Sequence, residues 1–213
     1  HVTGCEYGLR WYHFAFDFYA QFDVVMEDCS MNGNDYGMQL FADGFPGLGN
    51  LVVRRCEFSN NSNYGLDATP YDEGEFVVVD SLFADNGGDG CAMSTAAASG
   101  TTGFEVLRNT FANNGGQYGL LAAGTTTGTN SQIAYNIARD NGVGVPGAVD
   151  TWVTATVTAS DNIVGTSAGL GLVIGSNGNF SVDPLFLDPA QGDYRLAGNS
   201  PAIDAIPGPP AGL

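Results

Sequence analysis

Arg10 stands in the setting of this sequence that most invites chemistry, because Trp11, Tyr12 and His13 follow it directly and the chain has no lysine. An arginine in its neutral guanidine form, or an imidazole, held against aromatic faces could withdraw a proton from a bound ring, provided that no carboxylate holds it charged. His13 without an assigned neighbour reads equally as a packed or surface histidine. The second constellation is acidic: Asp67, Asp72, Glu73 and Glu75 in DATPYDEGE set several hard oxygens on one side of the chain, the donor type that Ca²⁺ takes. Their spacing matches neither the EF-hand nor the nonapeptide calcium repeat, so a solvated acidic loop competes with that reading. The third group is aromatic. Trp11, Tyr12, Phe45, Tyr71 and Trp152 fall in or near longer loops, where aromatic faces pack on sugar rings or anchor protein partners. Core packing is the plainer alternative for each.

Composition limits which of these chemistries fit. Twenty-three carboxylates face six arginines, for a net charge of −17, which makes nucleic acid a poor partner. The same charge repels acidic polysaccharides unless a divalent cation bridges the two, so Ca²⁺ is tied to any acidic-glycan reading. Thirty-one glycines, 14% charged residues and 44% hydrophobic residues in short runs describe a turn-rich β protein. No apolar run is long enough to span a bilayer, and the first residues lack the basic and apolar regions of a signal peptide. Cys5, Cys29, Cys56 and Cys91 form no CxxC or Cys/His cluster, which argues against zinc.

The elements that must position these side chains emerge from an internal repeat. One column reads Cys29, Cys56, Ser81, Asn109, Asn136 and Asn162, at spacings of 25 to 28 residues. Two residues on lies an apolar column, Met31, Phe58, Phe83, Phe111, Ala138 and Val164; five residues on lies Asn34, Asn61, Asn86, Asn114, Asn141 and Ser167. Glycines follow at Gly8, Gly37, Gly65, Gly90, Gly119, Gly144 and Gly171.

Stacked identical coils explain every column. An asparagine at a turn tolerates left-handed backbone and bonds to the asparagine of the next coil, glycine takes conformations closed to other residues, and the apolar column fills the interior. With coils ~4.8 Å apart, seven or eight of them make a rod of about 35–40 Å. A coil of this length holds three short strands and three turns, so the expected fold is an all-β parallel solenoid. The column before the first reads Asp28, Arg55, Asp80, Arg108, Tyr135 and Asp161, an alternation that predicts an ion ladder and neutralised arginines. Cys29 and Cys56, one coil apart in one column, are close enough for a disulfide.

The end of the chain is more specific. Asp183-Pro184-Leu185-Phe186, then Gly192-Asp193-Tyr194-Arg195-Leu196, then Ser200-Pro201-Ala202-Ile203-Asp204 resembles the closing segment of right-handed parallel β-helix repeat proteins, a pectate-lyase-like family of secreted and surface proteins of bacteria. The repeat resembles the same family over nearly the whole chain. That resemblance implies an extracellular or cell-surface location and three divisions: coils over residues 1–182, a closing segment over 183–205 that ends the solenoid, and a Pro/Gly-rich tail or linker over 206–213. The first coil is partial, since the Asn-type position that should precede Gly8 falls at or before His1, and its open strand edges invite another protein segment or subunit.

Two function classes follow. The preferred one is a non-catalytic module of a larger surface protein, serving as rigid scaffold, adhesin or assembly subunit that contacts polysaccharide or protein. The alternative is a calcium-assisted polysaccharide lyase, because lyases of this fold typically take a sugar proton with Arg or Lys, and Arg10 is the candidate. The resemblance does not extend to the polygalacturonase type, whose Asp-Asp, Gly-His-Gly and Arg-x-Lys motifs are absent.

Overall fold

A computed structural model describes residues 1–14, 22–43, 48–69, 74–94, 102–124 and 131–203, the side chains of 11–14, 22, 42–43, 48 and 102 excepted. Phe45, Tyr71, Asp72, Glu73 and the 206–213 tail lie outside the described residues, as do the side chains of Trp11, Tyr12 and His13.

Three parallel sheets wind along the chain. The first stacks β1 (Tyr7–Phe14), β4 (Tyr36–Asp43), β7 (Leu66–Thr69), β10 (Cys91–Ser94), β13 (Tyr118–Ala123), β16 (Val149–Val153) and β19 (Ser167–Ala168). The second stacks β2 (Phe22–Glu27), β5 (Leu48–Arg54), β8 (Gly74–Val79), β11 (Thr102–Leu107), β14 (Gln132–Ala134) and β17 (Thr158–Ser160). The third stacks β3 (Ser30–Asn32), β6 (Glu57–Ser59), β9 (Leu82–Ala84), β12 (Thr110–Ala112), β15 (Ile137–Arg139) and β18 (Ile163–Val164). This is the expected β-helix, with fewer coils. Among the described residues one sheet holds seven rungs and the other two six, against the seven or eight that the repeat suggested, because after the two-residue strands β18 and β19 the chain leaves the winding. Among the described residues no helix is long and apolar enough to cross a membrane.

The apolar column sits in register inside the coil: Met31, Phe58, Phe83, Phe111, Ala138 and Val164 are consecutive rungs, each at most 7% exposed. Phe58, Phe83 and Phe111 stack with centroids 5.0 and 5.2 Å apart, and Phe76 lies on Phe104 at 5.4 Å. Rings spaced by the strand separation keep van der Waals contact without a gap.

Asparagines bind the rungs together in two ladders. In one, the backbone N–H groups of Asn34, Asn61, Asn86 and Asn114 each donate to the side-chain oxygen of the next asparagine, ending on Asn141, at 3.0–3.2 Å. The amide of Asn61 also donates to Asn86 Oδ1 at 2.8 Å and that of Asn86 to Asn114 Oδ1 at 2.8 Å. The second ladder runs from Cys56 N–H to Ser81 and on through Asn109, Asn136 and Asn162 to Asn179.

Three expectations are corrected. Left-handed backbone falls on the residue before each ladder position: Asp28, Arg55, Asp80, Arg108, Tyr135 and Asp161 before one ladder, Asn60, Asp85, Asn113 and Asp140 before the other, with φ of 51° to 61°. The ladder asparagines turn inward instead, because their amides must reach buried carbonyls. Among the glycines, Gly8, Gly37, Gly65, Gly90 and Gly119 are not left-handed; a Cβ on Gly37 would run into the Gly65 carbonyl and the Asn61 amide, so closeness of approach selects glycine there. Ser167 does not extend the first ladder. Asp150 takes that place, its Oδ1 accepting from Asn141 N–H and Nδ2 at 2.8 and 2.9 Å and its Oδ2 from Thr166 N–H at 2.8 Å. After the last rung the closing segment folds along the side of the coils, as described below.

Removing the Asn86 side chain takes the acceptor from the buried Asn61 N–H, one of the two acceptors of Asn61 Nδ2, and a donor from the buried Phe58 carbonyl. At roughly 1–3 kcal/mol per orphaned group, Asn86→Ala is expected to cost about 3–5 kcal/mol in urea denaturation. Exposed Gln132→Ala is expected to shift stability by less than about 0.5 kcal/mol.

Candidate functional site

Cross-strand register decides which candidate residues meet. On the outer face of the first sheet, Arg10, Gln39, Asp67, Ala92, Leu121 and Trp152 form one column. Arg10, Asp67 and Trp152 therefore share a face, but with rungs ~4.8 Å apart Arg10 lies about 10 Å from Asp67 and about 24 Å from Trp152 along the stack. Trp11, Tyr12 and His13 continue β1 opposite Leu40, Phe41 and Ala42. Glu75 leaves this group: it stands exposed on the second sheet, its N–H donating to Asn50 Oδ1 at 3.1 Å. Among the described residues no three His, Cys, Asp or Glu side chains converge on one point.

Each member of the column has local work. The Arg10 guanidinium lies over the Tyr7 ring at 4.1 Å, and Tyr7, Tyr36 and Tyr64 stack in turn at 5.2 and 6.0 Å. A cation on the last ring uses the negative π face that the next tyrosine would otherwise cover. Asp67 receives the Gln39 amide at a long 3.4 Å, and burial raises its carboxyl above 3.8. Gln39 is 5% exposed and its Oε1 has no hydrogen-bond partner among the described residues. Asp89, which interrupts the tyrosine stack, is also raised by burial and accepts the Tyr118 N–H at 2.9 Å. Trp152 packs against Tyr118 edge to face at 5.0 Å.

The turn between the second and third sheets carries the charged column. Arg55 grips Asp28 through Nε and Nη2 at 2.7 and 2.8 Å; Arg108 grips Asp80 in the same way at 2.7 and 3.0 Å. Arg54 reaches Glu27 at 3.2 Å. Asp28 is held below its ordinary value by the Arg55 hydrogen bond. Exposed pairs of this kind are screened by solvent, so they fix side-chain geometry more than they stabilise the coil.

Two of the cysteines stand at the start of a ladder as partial substitutes for asparagine. Cys29 and Cys56 thiols donate to the carbonyls two residues back, Glu27 and Arg54, both at 3.2 Å, as Asn136 and Asn162 amides donate to Ala134 and Ser160 at 3.0 Å. The disulfide considered from the sequence is not formed; all four cysteines are free. The two thiols point at carbonyls instead of at each other.

Along this flank runs the closing segment, β20 (Phe186–Asp188) paired antiparallel with β21 (Asp193–Leu196). Tyr194 lies over Ala84 and Ala112, donates its hydroxyl to Asp85 at 2.7 Å and meets the Phe186 ring edge-on at 5.3 Å. Arg195 clasps Asp193 at 2.8 and 2.6 Å, which holds that carboxyl down to about 2. Between hairpin and coil lies an open groove of about 740 Å³, lined among others by Arg55, Arg108, Arg195, Leu82, Thr110 and Tyr194. The sequence offered little sign of it: GDYRL was readable as a closing motif, but the 109 residues between Asp85 and Tyr194 carry no mark of where the motif lands.

Burial raises Asp67, so ionising it in the folded chain costs stability at neutral pH, and that cost fades as pH falls through the raised value. Asp67→Asn is expected to raise the thermal midpoint at pH 7, with the gap closing toward about pH 4; a lower midpoint at pH 7 would mean that the ionised carboxylate is needed by Gln39. Tyr194→Phe is expected to cost about 1 kcal/mol and to make the Phe186–Leu196 hairpin the first site of limited proteolysis.

A family model described as the right handed beta helix region matches residues 11–130, more than half of the chain and about four of its coils. No curated protein and no solved structure matches it. Coils of three parallel strands, rung-to-rung asparagine bonds and a matched family model agree, and the chain belongs to the right-handed β-helix family.

Proposed function

We propose that this chain is a non-catalytic extracellular or cell-surface module, a rigid β-helical scaffold for adhesion or assembly. The observation that carries this reading is the fate of its cations. Arg54, Arg55, Arg108, Arg139 and Arg195 each hold a carboxylate within 2.6–3.3 Å, and Arg10 rests on the Tyr7 ring. A proton-abstracting base needs a neutral, accessible form at the working pH, whereas a paired carboxylate holds the guanidinium charged. The continuous ladders support a load-bearing role, and the closing segment's likeness to those of secreted and surface proteins supports the location. The strand edges of β1 and β2 are where another protein segment or subunit would extend the sheets, the edge of β3 being already paired with Val2.

Purified protein incubated with neutral and acidic polysaccharides, with and without Ca²⁺, is expected to yield neither unsaturated-product absorbance nor new reducing ends. Turnover that disappears in Arg10→Ala would overturn this reading in favour of a lyase.

A further inference from the structure

We propose that the groove between the closing hairpin and the coils is a binding site for a linear neutral oligosaccharide, a ligand class that rests on the surface-module reading and makes it specific. Three of the six arginines of a chain with net charge −17 line this one groove. They are not free charges. Arg55, Arg108 and Arg195 are each held side-on through Nε and Nη2 by Asp28, Asp80 and Asp193. Each pair is thus a flat, oriented plate of donors and acceptors, and each arginine keeps its Nη1 amino group without a hydrogen-bond partner among the described residues. Vicinal hydroxyls both donate and accept, and a planar guanidinium–carboxylate pair presents both functions at fixed spacing.

Charge excludes the competing ligands. With Glu57, four carboxylates outnumber the three arginines along the groove, so a polyanion meets net repulsion there. A bare cation meets a guanidinium beside each of the three paired carboxylates. A neutral polyhydroxylated chain pays neither penalty.

Dimensions agree with chemistry. Arg55 and Arg108 stand two rungs apart, about 10 Å, with a rise per rung comparable to one pyranose ring. The Leu82 and Thr110 side chains, neighbours on the adjoining third sheet, line the same groove and offer apolar contact to ring C–H groups. At about 740 Å³ the groove falls within the usual ~300–1,000 Å³ of small-ligand sites. Arg55 and Arg108 share the left-handed backbone that every rung adopts at this corner, so the repeat of the coil fixes the spacing of their side chains along the groove.

The test is titration calorimetry of the full chain with neutral hexasaccharides of gluco, xylo, manno and galacto backbone, beside an oligogalacturonide. Saturable binding of at least one neutral hexasaccharide is expected, weakened about tenfold by Arg195→Ala, the loss of one charge-assisted hydrogen bond. Arg195 lies on the hairpin and is 79% exposed, so the coils remain intact; Arg108→Gln, checked for an unchanged thermal midpoint, is expected to weaken binding similarly. Silence across the neutral panel from folded protein, equal affinity in both variants, or preference for the oligogalacturonide overturns the inference and leaves the scaffold reading in place. Cleavage of a bound hexasaccharide would instead overturn the scaffold reading and leave the groove as its site.

Discussion

The side chain to backbone hydrogen bond from one rung's asparagine to the next is the constraint on which this molecule depends. Parallel strands of two or three residues, such as β18 and β19, make few ladder bonds of their own. The asparagine amides supply what those strands lack at the corners, where the backbone turns away from its sheet partners and would leave buried N–H and C=O groups unsatisfied. Asn86 alone serves the carbonyl of Phe58 and the backbone and side chain of Asn61. Removing one rung's asparagine therefore exposes the desolvation cost of its neighbours, a larger quantity than the net worth of any single bond.

The ends of the ladders show the same logic with weaker groups. Cys29 and Cys56 reproduce the short donor bond of asparagine and cannot reproduce its strong acceptor. Toward the other end, Asp150 supplies acceptors only, closing one ladder on Asn141 and Thr166. Direction accounts for the difference: bonds run from a rung's N–H to the following rung's side-chain oxygen, so acceptors are needed where the ladder finishes and donors suffice where it starts.

Outside the core, the six arginines illustrate how little a charge column says about chemistry until its geometry is known. Arg55 and Arg108 alternate with Asp28 and Asp80 because adjacent rungs bring equivalent residues within bonding distance. Only the returning hairpin, anchored by Tyr194 on Asp85, converts one side of that column into the wall of a groove.

Periodicity by itself determined the architecture: the apolar column, the asparagine column and the glycine column were legible because each is a local choice repeated once per coil, and neighbours in space are the same position in successive repeats. For the same reason the pairing of Arg55 with Asp28 and of Arg54 with Glu27 could be read from spacing. Tertiary structure alone decided what broke the period. Asn179 and Asp150 join ladders at separations of 17 and 9 residues, left-handed geometry falls one residue before the asparagines, and Glu75 parts from Asp67 onto another sheet. The groove depends on a contact spanning 109 residues, made by packing a single Tyr194 ring over Ala84 and Ala112; hydrophobic burial has no direction along the chain, so no spacing announces it.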